Sequence, residues 1–163
     1  MARVALDTLA RLLDEAFEGG GHSLLENLRE VRDDDWYATP EGGSRSIAAI
    51  LEHVGWAKWM YENYAFGDGS LRGDAPPVWP ADGRPRARAQ LLPWLREGHE
   101  RLAASVRALD GDAELERERL TNWGERKPTR WLVHTMIEHD FYHAGEINHL
   151  RALLHGSDRF PYQ

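Results

Sequence analysis

"IEHDFYHAGEINHLRALLHG", residues 137–156, carries four of the chain's eight histidines. Residues four apart on a helix stack on one face, with Cβ atoms about 5–6 Å apart. His139 and His143 have that spacing, and no other two histidines of the chain lie three or four apart. Leu132, Met136, His139, His143, Ile147, Leu150 and Leu154 fall on one stripe at helical period. The stretch therefore predicts a long last helix whose core-facing side includes two imidazoles. Pro128 suits its first turn, His155 its C-terminal dipole, and Gly156 a left-handed cap.

Two stacked, inward imidazoles are either a hydrogen-bonded core feature or two ligands of one metal ion. A third inward histidine is found in "SIAAILEHVGWAKWMY", residues 46–61. Ser44 or Ser46 opens a helix there that runs to about Tyr64, with Ile47, Ile50, Val54, Ala57 and Tyr61 as its stripe. His53 lies on the same side. If this helix faces the last one, His53 can meet His139 and His143. The spacing also resembles H-E-x-x-H, with Asp140 in place of Glu. A zinc protease is set aside, because Asp is one methylene shorter and His149, the downstream alternative, points elsewhere.

Glu146, three residues beyond His143, is the candidate catalytic side chain. It can accept a proton, orient an imidazole, or simply form a surface ion pair. Glu138 and Asp140 are expected to face solvent. Trp56, Tyr142, Trp123 and Asn122 are candidates to line or rim a pocket, and Gly145 to permit close helix packing. His22, His99, His134, His149 and His155 are read as structural or exposed.

Outward from these two stretches, Val4 to Phe17 has helical spacing, and "EGGGHS" interrupts it. Leu24, Leu25, Leu28 and Val31 continue a helical pattern that Ser23 can cap, giving one broken helix or two in series. "DDDWYATPEGGS" is a loop, and Phe66 to about Pro85 a longer, ordered one. A third helix is expected from about Arg86 to Ala108, with Pro93 kinking it or marking a late start near Leu92. "RLTNW" can be extended. Four main helices and little strand signal give an all-α four-helix bundle, read as one domain over residues 1–163.

Composition narrows the function. The chain is 42% hydrophobic and 29% charged, ordinary for a soluble globular protein. A formal net charge of −7 argues against nucleic acid as a partner, since phosphate rewards clustered Lys and Arg. The one basic run, "RPRARAQ" at 84–90, has no interleaved aromatics and reads as a solvated helix start. The same acidic balance disfavours a strongly anionic substrate. With no cysteine, disulfides, thiolate nucleophiles and Cys-bound zinc are excluded. "MARVALDTLARLLDEAF" is neither a signal peptide nor a membrane span, so no membrane partner and a cytoplasmic setting are expected.

"SIAAILEHVGWAKWMYENY" followed far downstream by "HDFYHAGEINHLRALL" resembles the DinB family of four-helix-bundle metalloproteins, the DinB/YfiT-like group. The likeness covers most of the chain in helix order and is specific in these two stretches. It implies His53, His139 and His143 as the metal ligands. Many relatives have Arg-Gly-Gln after the last ligand, where this chain has Ala144-Gly145-Glu146. Three neutral imidazoles suit a divalent ion such as Zn, Ni, Fe or Mn and leave a position open for water or a thiolate. The resemblance implies a small-molecule enzyme, either transferring a low-molecular-weight thiol to an electrophile or hydrolysing a substrate. A non-catalytic metal-binding stress-response protein is the alternative. An aromatic-rich bundle often buries an extra face as a two-fold dimer, and relatives in the family look like dimers, so a homodimer is expected.

Overall fold

The computed structural model describes residues 2–29, 31–72 and 87–156. Helix α1 spans Val4–Glu18, α2 Ile47–Ala65, α3 Arg88–Arg107 and α4 Thr129–His155. Between α3 and α4 lies a two-stranded antiparallel hairpin, β1 Glu118–Leu120 and β2 Arg126–Pro128, paired Glu118↔Pro128, Arg119↔Lys127 and Leu120↔Arg126. The helices form an all-α bundle in which α2 and α1 each pack against both α3 and α4. No helix among the described residues is long and apolar enough to cross a membrane.

The local signals explain the boundaries. Ser46 caps α2, its side chain accepting the Ala49 N–H at 3.3 Å. Gly156 ends α4 at φ 62°, the left-handed cap its lack of a Cβ allows. Pro128 closes β2 and stands just before α4 rather than within its first turn. Pro93 does not delay α3, which begins at Arg88 and runs through it. The expected start at Arg86, and residues 73–86 of the expected loop, lie outside the described residues.

The segment after α1 corrects the sequence reading. Leu24, Leu25, Leu28 and Val31 are all buried, but the chain forms only a single 3₁₀ turn at Glu26–Leu28. The Leu24 and Leu25 N–H groups turn back to the Ala16 and Phe17 carbonyls, each at 2.9 Å. These bonds satisfy two orphan carbonyls at the end of α1 and reverse the chain, so a second helix cannot start. "RLTNW" is extended only through its first residues, as the end of β1. The basic run is structural where it is described. Arg88 donates to the Val31 carbonyl at 2.9 Å and lies over the Trp36 ring at 5.4 Å.

Burial divides the core into two clusters. One holds Ile47, Ile50, Val54, Leu91, Leu95, Ile147 and Leu150 among others; the second holds Leu6, Leu13, Leu102, Val106, Val133 and Met136. Along α3 and α4 the polar residues His99, His139, Asp140 and His143 fall between the two. Helices α2 and α3 approach closely because Gly55 faces Trp94 and Gly98 faces Trp59. A Cβ on Gly98 would lie 2.7 Å from the Trp59 indole nitrogen. The two indoles stack at 6.5 Å, and Trp59 donates to the Trp94 carbonyl at 3.3 Å.

Candidate metal centre

Helix α2 presents His53 toward α4, and α4 presents His139 and His143 from successive turns of one face. One potential ligand atom from each of the three lies within 4.8 Å of the other two. The Nε2 atoms of His53 and His139 approach to 3.0 Å. Ring centroids are 5.0 Å apart for His53 with either partner and 4.4 Å for His139 with His143. His53 is exposed, His139 half-buried and His143 buried, so the cluster runs from the surface inward.

Burial, more than the surrounding charges, keeps the cluster neutral. Burial, and then the charge of neighbouring His143, depress the His139 pKa to about 3. His53 is lowered chiefly by burial and then by His143 and Arg45. His143 is lowered by burial, against the upward pull of its bond to Glu146. Near neutral pH each ring therefore keeps a lone pair. Two imidazole nitrogens 3.0 Å apart can share one proton, and the third ring finds no partner in that bond. A divalent cation accepts all three lone pairs, and neutral imidazoles are the donors that Zn, Ni, Fe and Mn take. The three-histidine group can hold a metal ion.

Glu146 stands one turn beyond His143. Its Oε2 lies 2.7 Å from His143 Nδ1, and its Oε1 accepts from Arg45 Nη2 at 2.6 Å. With Nδ1 engaged, His143 has Nε2 left as its ligand atom. Arg45, from the loop before α2, was absent from the sequence reading; a lone Arg in a Gly-rich loop carries no periodic signal. His139 lacks an equivalent support: its Nδ1 is buried with no hydrogen-bond partner among the described residues.

Asp140 overturns an expectation. It does not face solvent; it is fully buried, and its Oδ2 takes a 2.7 Å bond from Lys58 Nζ, itself fully buried on α2. Burial pushes the Asp140 carboxyl up, and Lys58 pulls it part of the way back. Lys58 also lies 5.0 Å from the centroid of the Phe17 ring, whose face stacks on His99 at 3.9 Å. Gly145 is a second correction: a Cβ there would meet nothing within 4 Å, so it serves no close packing.

Glu138 faces solvent, and His134 beside it is 60% exposed. His22 and His149 are exposed. His99 is buried, its Nε2 3.1 Å from Asp14. His155 bonds Asp35 at 2.6 Å. Trp56, Asn122 and Trp123 line a cleft of about 250 Å³ whose wall includes His53 and His139. Tyr142 stands outside that wall, edge-on to His143 with centroids 5.0 Å apart.

The DinB superfamily model matches residues 16–147, which include all three histidines. The chain belongs to the DinB superfamily. A solved structure of a conserved protein from Enterococcus faecalis superposes on this DinB chain with a TM-score of 0.68. That likeness covers 96% of this chain and 100% of the other at 14% identity, which speaks to the fold alone. A search of the curated proteins finds no match.

Proposed function

We propose that this DinB protein is a metal-dependent enzyme for a small molecule, with His53, His139 and His143 as the ligands of one divalent ion. The observation that carries this reading is a three-imidazole cluster whose outer two members form part of a cleft wall. Three protein ligands are the usual set of a catalytic rather than a structural site. A divalent cation held there supplies an open, electrophilic position that activates water or a low-molecular-weight thiol.

The chain's own residues provide the rest. Glu146 is a positioning residue in this reading. Both of its oxygens are engaged, one on His143 and one on Arg45, which favours orienting the ring over carrying a proton. The half-exposed Trp123 and the Trp56 ring flank the approach and exclude water. Hydrolysis and thiol transfer are the two chemistries that fit. We expect a cytoplasmic homodimer; the exposed Phe141, Tyr142 and Leu153 of α4 supply an apolar surface for pairing.

Metal-free protein titrated with Zn, Ni, Fe and Mn, and each loaded form assayed for thiol transfer to electrophiles and for ester or amide hydrolysis, tests the reading. One equivalent bound and turnover in at least one loaded form supports it. Stoichiometric binding without turnover favours the metal-binding stress protein. No binding of any of the four ions rejects both.

A further inference from the structure

The cleft beside the histidines has a chemical character of its own. Besides the two imidazoles its wall is Trp56, Ala57, Met60, Tyr61, Asn122, Trp123 and Met136, with no Asp, Glu, Lys or Arg among the described residues. Of the hairpin charges, Lys127 pairs with Glu125 at 2.9 Å and lies over the Trp131 ring at 5.6 Å, and the Glu125 carboxylate also accepts from the Trp123 side chain. In the metal-free protein a charged ligand entering this wall would lose hydration and meet no charged side chain among its described lining residues.

Trp123 is the second observation. The turn between β1 and β2 carries it, closed by the Gly124 N–H on the Thr121 carbonyl at 3.0 Å, with Gly124 at φ 89°. The indole packs at steep angles to the Tyr61 and Trp131 rings, with centroids 6.1 Å away in each case, and is still 47% exposed. A large ring fixed by two others and left half open offers a ready stacking face. The volume, about 250 Å³, falls just under the roughly 300–1,000 Å³ of drug-sized pockets.

We propose that this cleft binds an uncharged small molecule with a flat aromatic body, stacked against Trp123 with its polar group toward His53 and His139. The inference takes its chemistry from the metal site proposed above, but the binding itself needs no metal. Such an occupant is the electrophile or hydrolysable substrate; a thiol bearing several charges has no counter-charge in this wall and would keep its charged parts outside.

Benzamide, benzoate and benzamidinium share one ring and nearly one shape and differ in charge. The test is an amide-shift NMR titration of the full-length, metal-free protein with each. Benzamide should bind in the millimolar range and shift Ala57, Asn122 and Met136, with the two ions at least about tenfold weaker, about 1.4 kcal/mol. Trp123→Ala should weaken benzamide about tenfold, and Trp123→Phe, which keeps a ring, by no more than about threefold. Either ion binding as tightly as benzamide would overturn the proposal. So would an unchanged Kd in Trp123→Ala, or shifts confined to the larger groove at Trp36 and Leu92. Because no metal is present, failure here leaves the metal site standing, and failure of metal binding leaves this result standing.

Discussion

Lys58 and Asp140 meet between α2 and α4, as do His53 and His139, yet the two bridges differ in what they leave unsatisfied. The first is sealed from solvent: both side chains are fully buried and their charges answer each other across 2.7 Å, with Asp140 Oδ1 alone in the pair left without a partner among the described residues. The second is graded from exposed to buried, and its three neutral rings bring one potential ligand nitrogen each within 4.8 Å of the other two. Asp140 follows His139 directly, so one helix carries both bridges side by side. The sealed pair fixes how α2 and α4 lie against each other; the open set converges on that fixed frame and has donor capacity left for a ligand. Polar residues at neighbouring core positions can thus serve different ends, and what separates them is whether the partner is already in the protein.

The largest effect is expected from breaking the sealed pair. Lys58→Ala leaves a buried carboxylate without its cation and should cost about 3–5 kcal/mol in urea unfolding. Lys58→Met with Asp140→Leu should recover most of that loss. A double variant no better than the single would mean the pair does more than answer its own charges. Next comes the open set. His53→Ala, His139→Ala or His143→Ala should each weaken metal binding more than about a hundredfold in competition titrations, beyond the 10–100-fold typical of outer-shell losses. The metal-free stability of each should change by roughly 1 kcal/mol. Exposed His134 and His149 are the controls, and their Ala variants should bind metal normally.

Acid sharpens the contrast. His139 and His99 have folded pKa values of about 3 and about 4 against an ordinary 6.5. Both are depressed, so below about pH 6.5 the unfolded chain binds more protons than the folded one. Their stability contribution is present above that pH and is lost as pH falls toward the folded values. Thermal melts of metal-free protein should drop by roughly 5 °C between about pH 7.5 and about pH 5, before most carboxylates titrate. A level or rising melting temperature would contradict the burial of these rings as neutral groups. The smallest effect belongs to the support of His143. Glu146→Ala should weaken metal binding about tenfold or more, and Arg45→Ala less, since it acts only by holding Glu146.

Much of the site was legible because it is periodic. His139 and His143 share a helical stripe with Met136 and Ile147, and His53 shares one with Ile50 and Ala57, so spacing brought the three to one side, although His53, expected inward, is exposed. Ser46 and Gly156 marked helix ends through local chemistry that depends on little else. What stayed hidden depends on distance in the chain. Asp140 reads as a surface residue until Lys58, 82 positions earlier, is seen to face it. Arg45 lies 101 positions from Glu146. Leu24 to Val31 look helical because they are buried at helical intervals, yet two backbone bonds to α1 fold them back. Periodicity reports burial; it does not report which backbone partner a turn will choose.

The central claim is that three imidazoles from α2 and α4 hold one cation, and X-ray absorption on zinc-loaded protein addresses it most directly. The account predicts three imidazole nitrogens at about 2.0–2.1 Å, falling to two in His53→Ala under forced loading. A wild-type spectrum with two or fewer imidazoles, or one that His53→Ala leaves unchanged, would contradict it.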